Sequence, residues 1–212
     1  MTFVDRQDAG ERLAPLVARL RPRDPVVLGL PRGGVPVAAV VADALDAPLD
    51  VIVVRKLGAP SQAEYAIGAV GEEGVRVFDE NAVGMLRIGV DQLAEIERTE
   101  REELGRRAAL YRNGRPRLNL AGRVAVIVDD GVATGATAVA ACRVARGLGA
   151  ESVVLAVPVA PSDWEVGLRD EADELVAVET HAPFHAVGLW YRDFWQTTDD
   201  EVLTALAARR RA

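Results

Sequence analysis

Two short, uninterrupted apolar runs constrain the fold of this 212-residue chain more than any other feature. Residues 26–30 read Val-Val-Leu-Gly-Leu and residues 124–128 read Val-Ala-Val-Ile-Val. A strand with one solvated face alternates apolar and polar residues, so these runs predict strands that are covered on both faces. Each run is followed by a glycine-containing turn and then by a helix-like segment. The pattern therefore predicts an α/β fold with a mostly parallel central sheet and helices on both faces.

Further elements are predicted between and after these two units. A stretch from 79 to 116 has apolar residues at roughly helical spacing and predicts a helical insertion. Thr198, with Glu201 three residues later, is a capping-box pattern for a C-terminal helix. We expect a single domain over residues 1–212 that binds its ligand at the carboxyl ends of the strands. The remaining strand candidates are residues 51–54, 152–157 and 174–178.

Composition narrows the classes of partner. With 32 acidic and 25 basic residues the net charge is −7, which repels phosphate backbones, so we expect no nucleic-acid partner. No stretch approaches the ~20 uncharged residues of a membrane span, and charges at the N-terminus replace the apolar run of a secretory signal. We therefore expect no membrane partner and a cytoplasmic protein.

The single cysteine, Cys142, excludes an internal disulfide, and we expect it to be a core residue. A homodimer is expected only from its general frequency.

The most informative segment joins the second apolar run to a helix and reads Asp-Asp-Gly-Val-Ala-Thr-Gly-Ala-Thr over residues 129–137. Gly131 and Gly135 keep this loop thin, so that backbone N–H groups and the positive end of the helix dipole can surround a phosphate. The hydroxyls of Thr134 and Thr137 add two donors. The two carboxylates repel a phosphate, but they accept hydrogen bonds from vicinal hydroxyls or bind a hard cation. The segment predicts a site for a phosphorylated ribose; the alternative is an Asp-Gly turn before a capped helix.

This segment resembles the phosphoribosyl-pyrophosphate (PRPP) signature of type I phosphoribosyltransferases, in which an apolar strand and two acids precede a short loop ending in Thr-Gly and a small residue. The resemblance extends from about residue 26 to the C-terminus and is closest to bacterial stand-alone phosphoribosyltransferase-domain proteins of undefined substrate. It implies that Asp129 and Asp130 bind the ribose hydroxyls and are the candidate ligands of Mg²⁺. The implied 5′-phosphate ligands are Gly131, Val132, Ala133, Thr134, Gly135, Ala136 and Thr137.

The end of the first strand carries a candidate for a second anion site, since residues 30–36 read Leu-Pro-Arg-Gly-Gly-Val-Pro. Arg32 offers a planar fork of donors, and Gly33 and Gly34 let backbone amides face phosphate oxygens. The alternative is an ordinary glycine turn before a helix. In the resembled family the matching loop binds pyrophosphate and often has a cis peptide, which we expect at Arg32–Gly33.

Two basic residues, Arg55 and Lys56, follow the strand candidate 51–54, and residues 61–74 after them are rich in glycine and small residues. In related transferases such a pair begins a flexible loop that closes over pyrophosphate. The resemblance therefore implies that Arg55 and Lys56 bind pyrophosphate and that residues 61–74 form a mobile lid, which would exclude water. The alternative is a pair of solvated basic residues at a strand end.

Residues 184–195 hold five of the ten aromatic residues in the chain. The resemblance makes residues 179–198 a hood over an acceptor base, while the alternative is a small second core, and we expect most of the five to be packing residues. His181 and His185 lie four positions apart, but Pro183 between them argues against the helix that would make them joint metal ligands.

The resemblance implies an enzyme in which Mg²⁺-bound PRPP loses pyrophosphate as a nitrogen nucleophile of a small-molecule acceptor attacks C1 of the ribose. Arg32 and Lys56 would offset charge on the leaving pyrophosphate, and Asp129 and Asp130 would fix the ribose. No general base is evident, and the acceptor stays open. Two alternatives remain: a regulator that binds PRPP without turnover, and a phosphatase that uses Asp129 as its nucleophile.

Overall fold

The computed structural model describes residues 2–60 and 62–209. Along the chain the helices and strands are α1 (Arg6–Val17), β1 (Pro25–Gly29), α2 (Gly34–Leu45), β2 (Leu49–Val51), β3 (Val54–Ala59), β4 (Gln62–Gly71), β5 (Arg76–Phe78), α3 (Glu80–Met85), α4 (Val90–Arg112), β6 (Val124–Val128), α5 (Ala136–Gly147), β7 (Ser152–Pro161), β8 (Glu174–His181) and α6 (Asp199–Arg209).

Five parallel strands form the central sheet, in the order β2-β1-β6-β7-β8. From β1 the chain proceeds to β2 on one side, whereas from β6 it proceeds to β7 and β8 on the other. The direction of winding therefore reverses between β1 and β6, and a reversal of this kind leaves a crevice at the carboxyl ends of the two strands. The predicted α/β fold with a mostly parallel sheet is confirmed.

Successive residues of the central strands contribute to two different cores. Val27 and Val126 lie in a cluster with residues of α1, α2 and α6. Their neighbours Leu28 and Ile127 lie in a cluster with residues of α5, among them Cys142, which is buried as predicted. Because every residue of β1 and β6 is buried, both strands are apolar throughout instead of alternating. Within residues 2–60 and 62–209, no helix is both long enough and apolar enough to cross a membrane.

Strands β3, β4 and β5 form a second, antiparallel sheet in the order β3-β4-β5, which packs against α4 and α5. The predicted strand at 51–54 was therefore wrong in extent, because the parallel strand ends at Val51 and the chain enters the second sheet at Val54. The segment predicted as a lid, 61–74, corresponds to β4 and the turn after it, with Ser61 outside the described residues.

Helices α3 and α4 occupy most of the predicted insertion, and α4 packs against β3. The capping box at α6 is confirmed, since Thr198 Oγ1 accepts a hydrogen bond from the Glu201 amide (3.2 Å) and the Glu201 carboxylate accepts one from the Thr198 amide (2.7 Å).

The segment after β8 is joined to the first residues of the chain. The amides of Thr2 and Phe3 both donate to the Trp190 carbonyl (2.9 Å), and Phe3 and Tyr191 pair as an isolated parallel bridge. Both aromatic side chains are buried in a small third core with Ala9. The start of α1 is thereby held beside the predicted hood region.

Candidate active site

The candidate site lies where the loops after β1 and β6 meet, at the reversal of the sheet. A Cβ added to Gly34 would lie 2.6 Å from the Val128 carbonyl oxygen and 2.8 Å from Asp129 Cα. Only glycine allows such an approach of one backbone to another. The two loops that the sequence predicts as anion sites are therefore packed directly against each other.

The cis peptide in the first of these loops lies at Pro31–Arg32. The expected position, Arg32–Gly33, was wrong by one residue.

The loop after β6 keeps most of its backbone donors available. Its base is fixed because the Val132 amide donates to the Val159 carbonyl (3.0 Å). For the amides of residues 133–137 and for the hydroxyls of Thr134 and Thr137, the part of the chain that the structure describes offers no acceptor. Gly135 adopts a left-handed conformation (φ 79°) immediately before α5, so the open amides include the first turn of that helix. The arrangement can bind a phosphate without breaking any of these internal hydrogen bonds.

A cavity of about 220 Å³ opens over this loop. Lys56 lines it from β3, and Val187 lines it from the segment between β8 and α6. Ala136, a predicted ligand, does not line the cavity. The other lining residues are Asp129, Asp130, Gly131, Val132, Ala133, Thr134, Gly135, Thr137 and Ala138.

The two carboxylates are held by different contacts. Asp129 Oδ1 accepts a hydrogen bond from the Asp130 amide (2.9 Å). Asp130 Oδ2 accepts two, from Arg6 Nε (2.9 Å) and Arg6 Nη2 (2.8 Å), and the Tyr191 hydroxyl donates to the Asp130 carbonyl (2.6 Å). The second acid is thus bound from both α1 and the hood region.

Both carboxylates are electrostatically perturbed. Burial raises the pKa of Asp129 well above its ordinary value and the charge of Asp130 raises it further, while Lys56 and Arg6 oppose the shift. Burial likewise raises the pKa of Asp130, and Arg6 is the main group that lowers it. Adjacent acids with raised pKa values in a cavity are typical of functional sites.

Two predicted basic residues point away from this cavity. Arg32 Nη1 lies 3.8 Å from Asp199 Oδ1 at the start of α6. Arg55 Nε donates to Glu100 Oε2 on α4 (2.7 Å). Because neighbouring side chains of a strand point to opposite faces, Lys56 reaches the cavity and Arg55 does not.

The acid pair fits Mg²⁺ only together with oxygens from a ligand. Within residues 2–60 and 62–209, no group of three or more His, Cys, Asp or Glu is arranged to hold a metal ion. Asp129 and Asp130 supply hard oxygen atoms, and Mg²⁺ at phosphate sites commonly takes one or two carboxylates with substrate oxygens as its other ligands.

Most of the clustered aromatic residues are packing residues. Tyr191 is buried, and Trp190 stacks on the ring of His181 with the centroids 3.5 Å apart. Trp195 is 84% exposed and lines a second, wider groove of about 680 Å³, which Arg6 also lines. Phe194 lies under the guanidinium of Arg6, with its centroid 4.1 Å from Cζ.

Neither Arg6 nor Tyr191 is predicted as a site residue by the sequence. The contact between Arg6 and Asp130 joins residues 124 positions apart, and no local motif surrounds Arg6. Tyr191 belongs to the aromatic cluster that the sequence does indicate, but its contact to the acid pair follows only from the three-dimensional packing.

The fold and the site define an α/β protein with an acid pair beside a loop of open backbone amides, at the carboxyl end of a parallel strand. Residues 8–187 match the model of the family described as Phosphoribosyl transferase domain. The chain belongs to this family, which confirms the resemblance stated from the sequence.

Known proteins similar to this chain support the assignment. Two Mycobacterium tuberculosis relatives, from strains CDC 1551 and H37Rv and each provisionally named a phosphoribosyl transferase, are 55% identical over 204 residues. The match covers 96% of this chain but 46% of each relative, so the chain spans about half their length. The crystal structure of TT1426 from Thermus thermophilus is 44% identical, with a TM-score of 0.83 over 100% of both chains. A hypothetical protein from Neisseria gonorrhoeae, solved with bound ppGpp, is 13% identical with a TM-score of 0.52 over 98% of this chain and 96% of that one, a likeness of fold alone.

Proposed function

We propose that this chain binds Mg²⁺-PRPP and transfers its 5-phosphoribosyl group to a nitrogen atom of a small-molecule acceptor, with release of pyrophosphate. The observation that carries the proposal is the loop of residues 133–137, whose amides have no acceptor in the described chain and which borders Asp129 and Asp130. Membership of the phosphoribosyl transferase domain family supports the same reading.

Each part of the donor has a candidate binding group. The open amides and the hydroxyls of Thr134 and Thr137 would bind the 5′-phosphate. Asp129 and Asp130, at the end of β6, would accept hydrogen bonds from the ribose 2′ and 3′ hydroxyls and so orient the sugar. A Mg²⁺ ion bound with PRPP would take these carboxylates as ligands and would offset charge on the leaving pyrophosphate.

The pyrophosphate would lie toward Lys56 and the loop after β1. Lys56 contributes a positive charge to the cavity. The amides of Arg32 and Gly33 have no acceptor among the described residues, so they are the candidate donors of this loop. We assign Arg32 to this role through its backbone, because its guanidinium faces Asp199. Arg55, bound to Glu100, would need to change partners to take part.

A regulator that binds PRPP without turnover remains the second candidate. It is favoured by one observation. Among the described residues that line the cavity, the only acids are Asp129 and Asp130, which are already assigned to the ribose, and no His or Glu is available to accept the proton of an incoming nitrogen. The same donor site serves both functions, so only turnover distinguishes them. We keep a small-molecule acceptor, the absence of nucleic-acid and membrane partners, a homodimer and a cytoplasmic location as expectations.

Isothermal titration calorimetry with PRPP in the presence of Mg²⁺ tests the donor site. We expect saturable binding that weakens at least tenfold when Asp129→Asn and Asp130→Asn are combined. A matched control removes two exposed carboxylates elsewhere, with Asp91→Asn and Asp170→Asn, and should leave the affinity unchanged. Absence of PRPP binding, or binding that survives the loss of both acids, would refute the proposal.

Turnover is tested by screening nucleobases and small amines for pyrophosphate release. Release with one acceptor class identifies the enzyme, and PRPP binding without release from any acceptor favours the regulator. The phosphatase alternative predicts a phosphoenzyme on Asp129 and indifference to PRPP.

A further inference from the structure

All three guanidinium nitrogens of Arg6 donate hydrogen bonds to other parts of the chain. Its Nε and Nη2 donate to the same oxygen of Asp130, and its Nη1 donates to the Trp195 carbonyl (2.7 Å). The ring of Phe194 lies beneath the guanidinium. The Arg6 and Asp130 side chains are 13% and 15% exposed, so the pair is largely shielded from solvent.

The position of this guanidinium is fixed by the start of α1. Asp5 caps the helix by accepting a hydrogen bond from the Asp8 amide (2.9 Å), and Arg6 is the first helical residue. The preceding residues are bound to the hood region through Thr2 and Phe3. Arg6 therefore approaches Asp130 from a segment that is anchored on both sides.

The other side of the Asp130 carboxylate is closed by the loop after β1. A Cβ on Gly33 would lie 2.7 Å from Asp130 Cγ and closer still to Oδ2, and 3.1 Å from Arg6 Nη2. Oδ2 is thus enclosed between Arg6 and Gly33, whereas neither hydrogen bond from Arg6 goes to Oδ1. The Asp129 side chain also contacts this carboxylate, so its rotation is set by Arg6, Gly33 and Asp129 together.

We propose that Arg6 is a positioning residue for the donor sugar: it holds Oδ2 of Asp130 so that Oδ1, together with Asp129, is presented to a ribose hydroxyl. The inference rests on the proposed function, since it assigns a cause to the orientation of an acid that this function uses. It also makes the N-terminal segment part of the donor site, although Arg6 does not itself line the cavity over the phosphate loop.

Each of the three guanidinium nitrogens of Arg6 already has a protein acceptor. Arg6 is therefore bound as a fork to a carboxylate and a carbonyl and is not held ready for a phosphate. Lys56, whose charge also acts on Asp129, differs from Arg6 in that it lines the cavity itself. Loss of Arg6 should consequently weaken the binding of ligands that contain ribose and spare those that are phosphate alone.

The test compares the binding of PRPP with Mg²⁺ and of inorganic pyrophosphate without Mg²⁺, so that Asp130 cannot act on pyrophosphate through a metal ion, to the wild-type chain and to Arg6→Met, Arg6→Lys and Arg12→Met. Arg12 lies on the same helix in an exposed ion pair with Asp8 (2.9 Å) and is the matched control. We expect Arg6→Met to weaken PRPP binding at least tenfold and pyrophosphate binding less than twofold. Arg6→Lys, which keeps the charge but lacks the fork, should lie between, and Arg12→Met should equal the wild type.

A double-mutant cycle with Asp130→Asn separates positioning from a general loss of stability. If Arg6 acts through this carboxylate, Arg6→Met should weaken PRPP binding by less than threefold in the Asp130→Asn background. Should Arg6→Met fail to fold, Arg6→Lys decides the matter, because PRPP binding within twofold of the wild type would overturn the inference.

Three further results would overturn it: unchanged PRPP binding in Arg6→Met, an equal loss of PRPP and pyrophosphate binding, or an equal loss in Arg12→Met. If the wild-type chain binds no PRPP, the proposed function fails and the inference fails with it. If the wild type binds PRPP and the Arg6 variants bind it equally well, only the role of Arg6 is refuted.

Discussion

The substitution Gly33→Ala tests how closely the loops after β1 and β6 are packed against each other. Gly33 has helical backbone angles (φ −62°, ψ −32°), so the substitution introduces no conformational strain of its own. The added methyl group would lie 2.7 Å from Asp130 Cγ and 3.1 Å from Arg6 Nη2. Carbon atoms in contact prefer about 3.5–4.0 Å, so the carboxylate must move by about 1 Å.

The expected loss of stability follows from this displacement. Removing one partner of a buried ion pair costs about 3–5 kcal/mol, and overpacking a filled site costs about 1–3 kcal/mol. The Arg6–Asp130 pair is slightly exposed and would be displaced instead of deleted. We therefore expect Gly33→Ala to lower the free energy of unfolding by about 1–3 kcal/mol, the range for overpacking, and to weaken PRPP binding at least tenfold.

Urea unfolding of the wild type, Gly33→Ala and Gly105→Ala provides the assay. Gly105 lies inside α4 with no atom within 4 Å of an added Cβ, so the same substitution there should stabilise the chain by about 0.5–1 kcal/mol. If Gly33→Ala is as stable as Gly105→Ala and binds PRPP like the wild type, the packing of Gly33 on Asp130 does not constrain the site.

Three further predictions concern the buried side chains of Glu72, Cys142 and Tyr111. Arg112→Met removes the guanidinium that binds both oxygens of Glu72, a side chain that is only 8% exposed. The free energy of unfolding, measured in urea, should fall by about 3–5 kcal/mol because a buried charge loses its partner. A loss under about 1 kcal/mol would contradict this. Burial raises the pKa of the Cys142 thiol to about 12, so at neutral pH an aromatic disulfide reagent should label it only after unfolding, and rapid labelling of the folded chain would count against its burial. Burial and the hydrogen bond to Asp199 raise the pKa of Tyr111 from 10.0 to about 12. Since the folded state holds this proton more tightly, its contribution to stability is complete below pH 10 and is lost as the pH rises toward about 12; Tyr111→Phe should lose stability less steeply over that range, and parallel curves would refute the assignment.

The central sheet and the strand-loop-helix unit that begins at residue 124 could be predicted because their signals are local. The apolar run 124–128, the acid pair after it and the glycine at 135 are contiguous in sequence, and each specifies its own backbone. The covering of the sheet on both faces follows from the same run. The strand-loop-helix unit that carries the candidate site is therefore encoded within about twenty residues.

The second sheet could not be predicted in the same way. β3 and β4 contain glycine and alanine at several positions, and these residues have low strand propensity. Their strand conformation depends on packing against α4 and α5, which lie far along the chain. A segment with so little local preference is easily taken for a loop.

The contacts of Asp129 and Asp130 could not be predicted from local sequence patterns either. Arg6 reaches Asp130 only because the N-terminal segment pairs with residues 190–193, which lie at the other end of the sequence. Arg55 was predicted to bind at the site but does not line the cavity. It binds Glu100, while its neighbour Lys56 lines the cavity. The sequence shows that two basic residues stand side by side, but the strand geometry decides which of them faces the cavity.

The pairing of Thr2 and Phe3 with Trp190 has a practical consequence for anyone who purifies this protein. A peptide fused ahead of residue 2 would emerge a few residues from Arg6, which binds Asp130. An affinity tag left at that end would lie beside the segment that holds Arg6 in place, so it should be cleaved before any ligand is titrated.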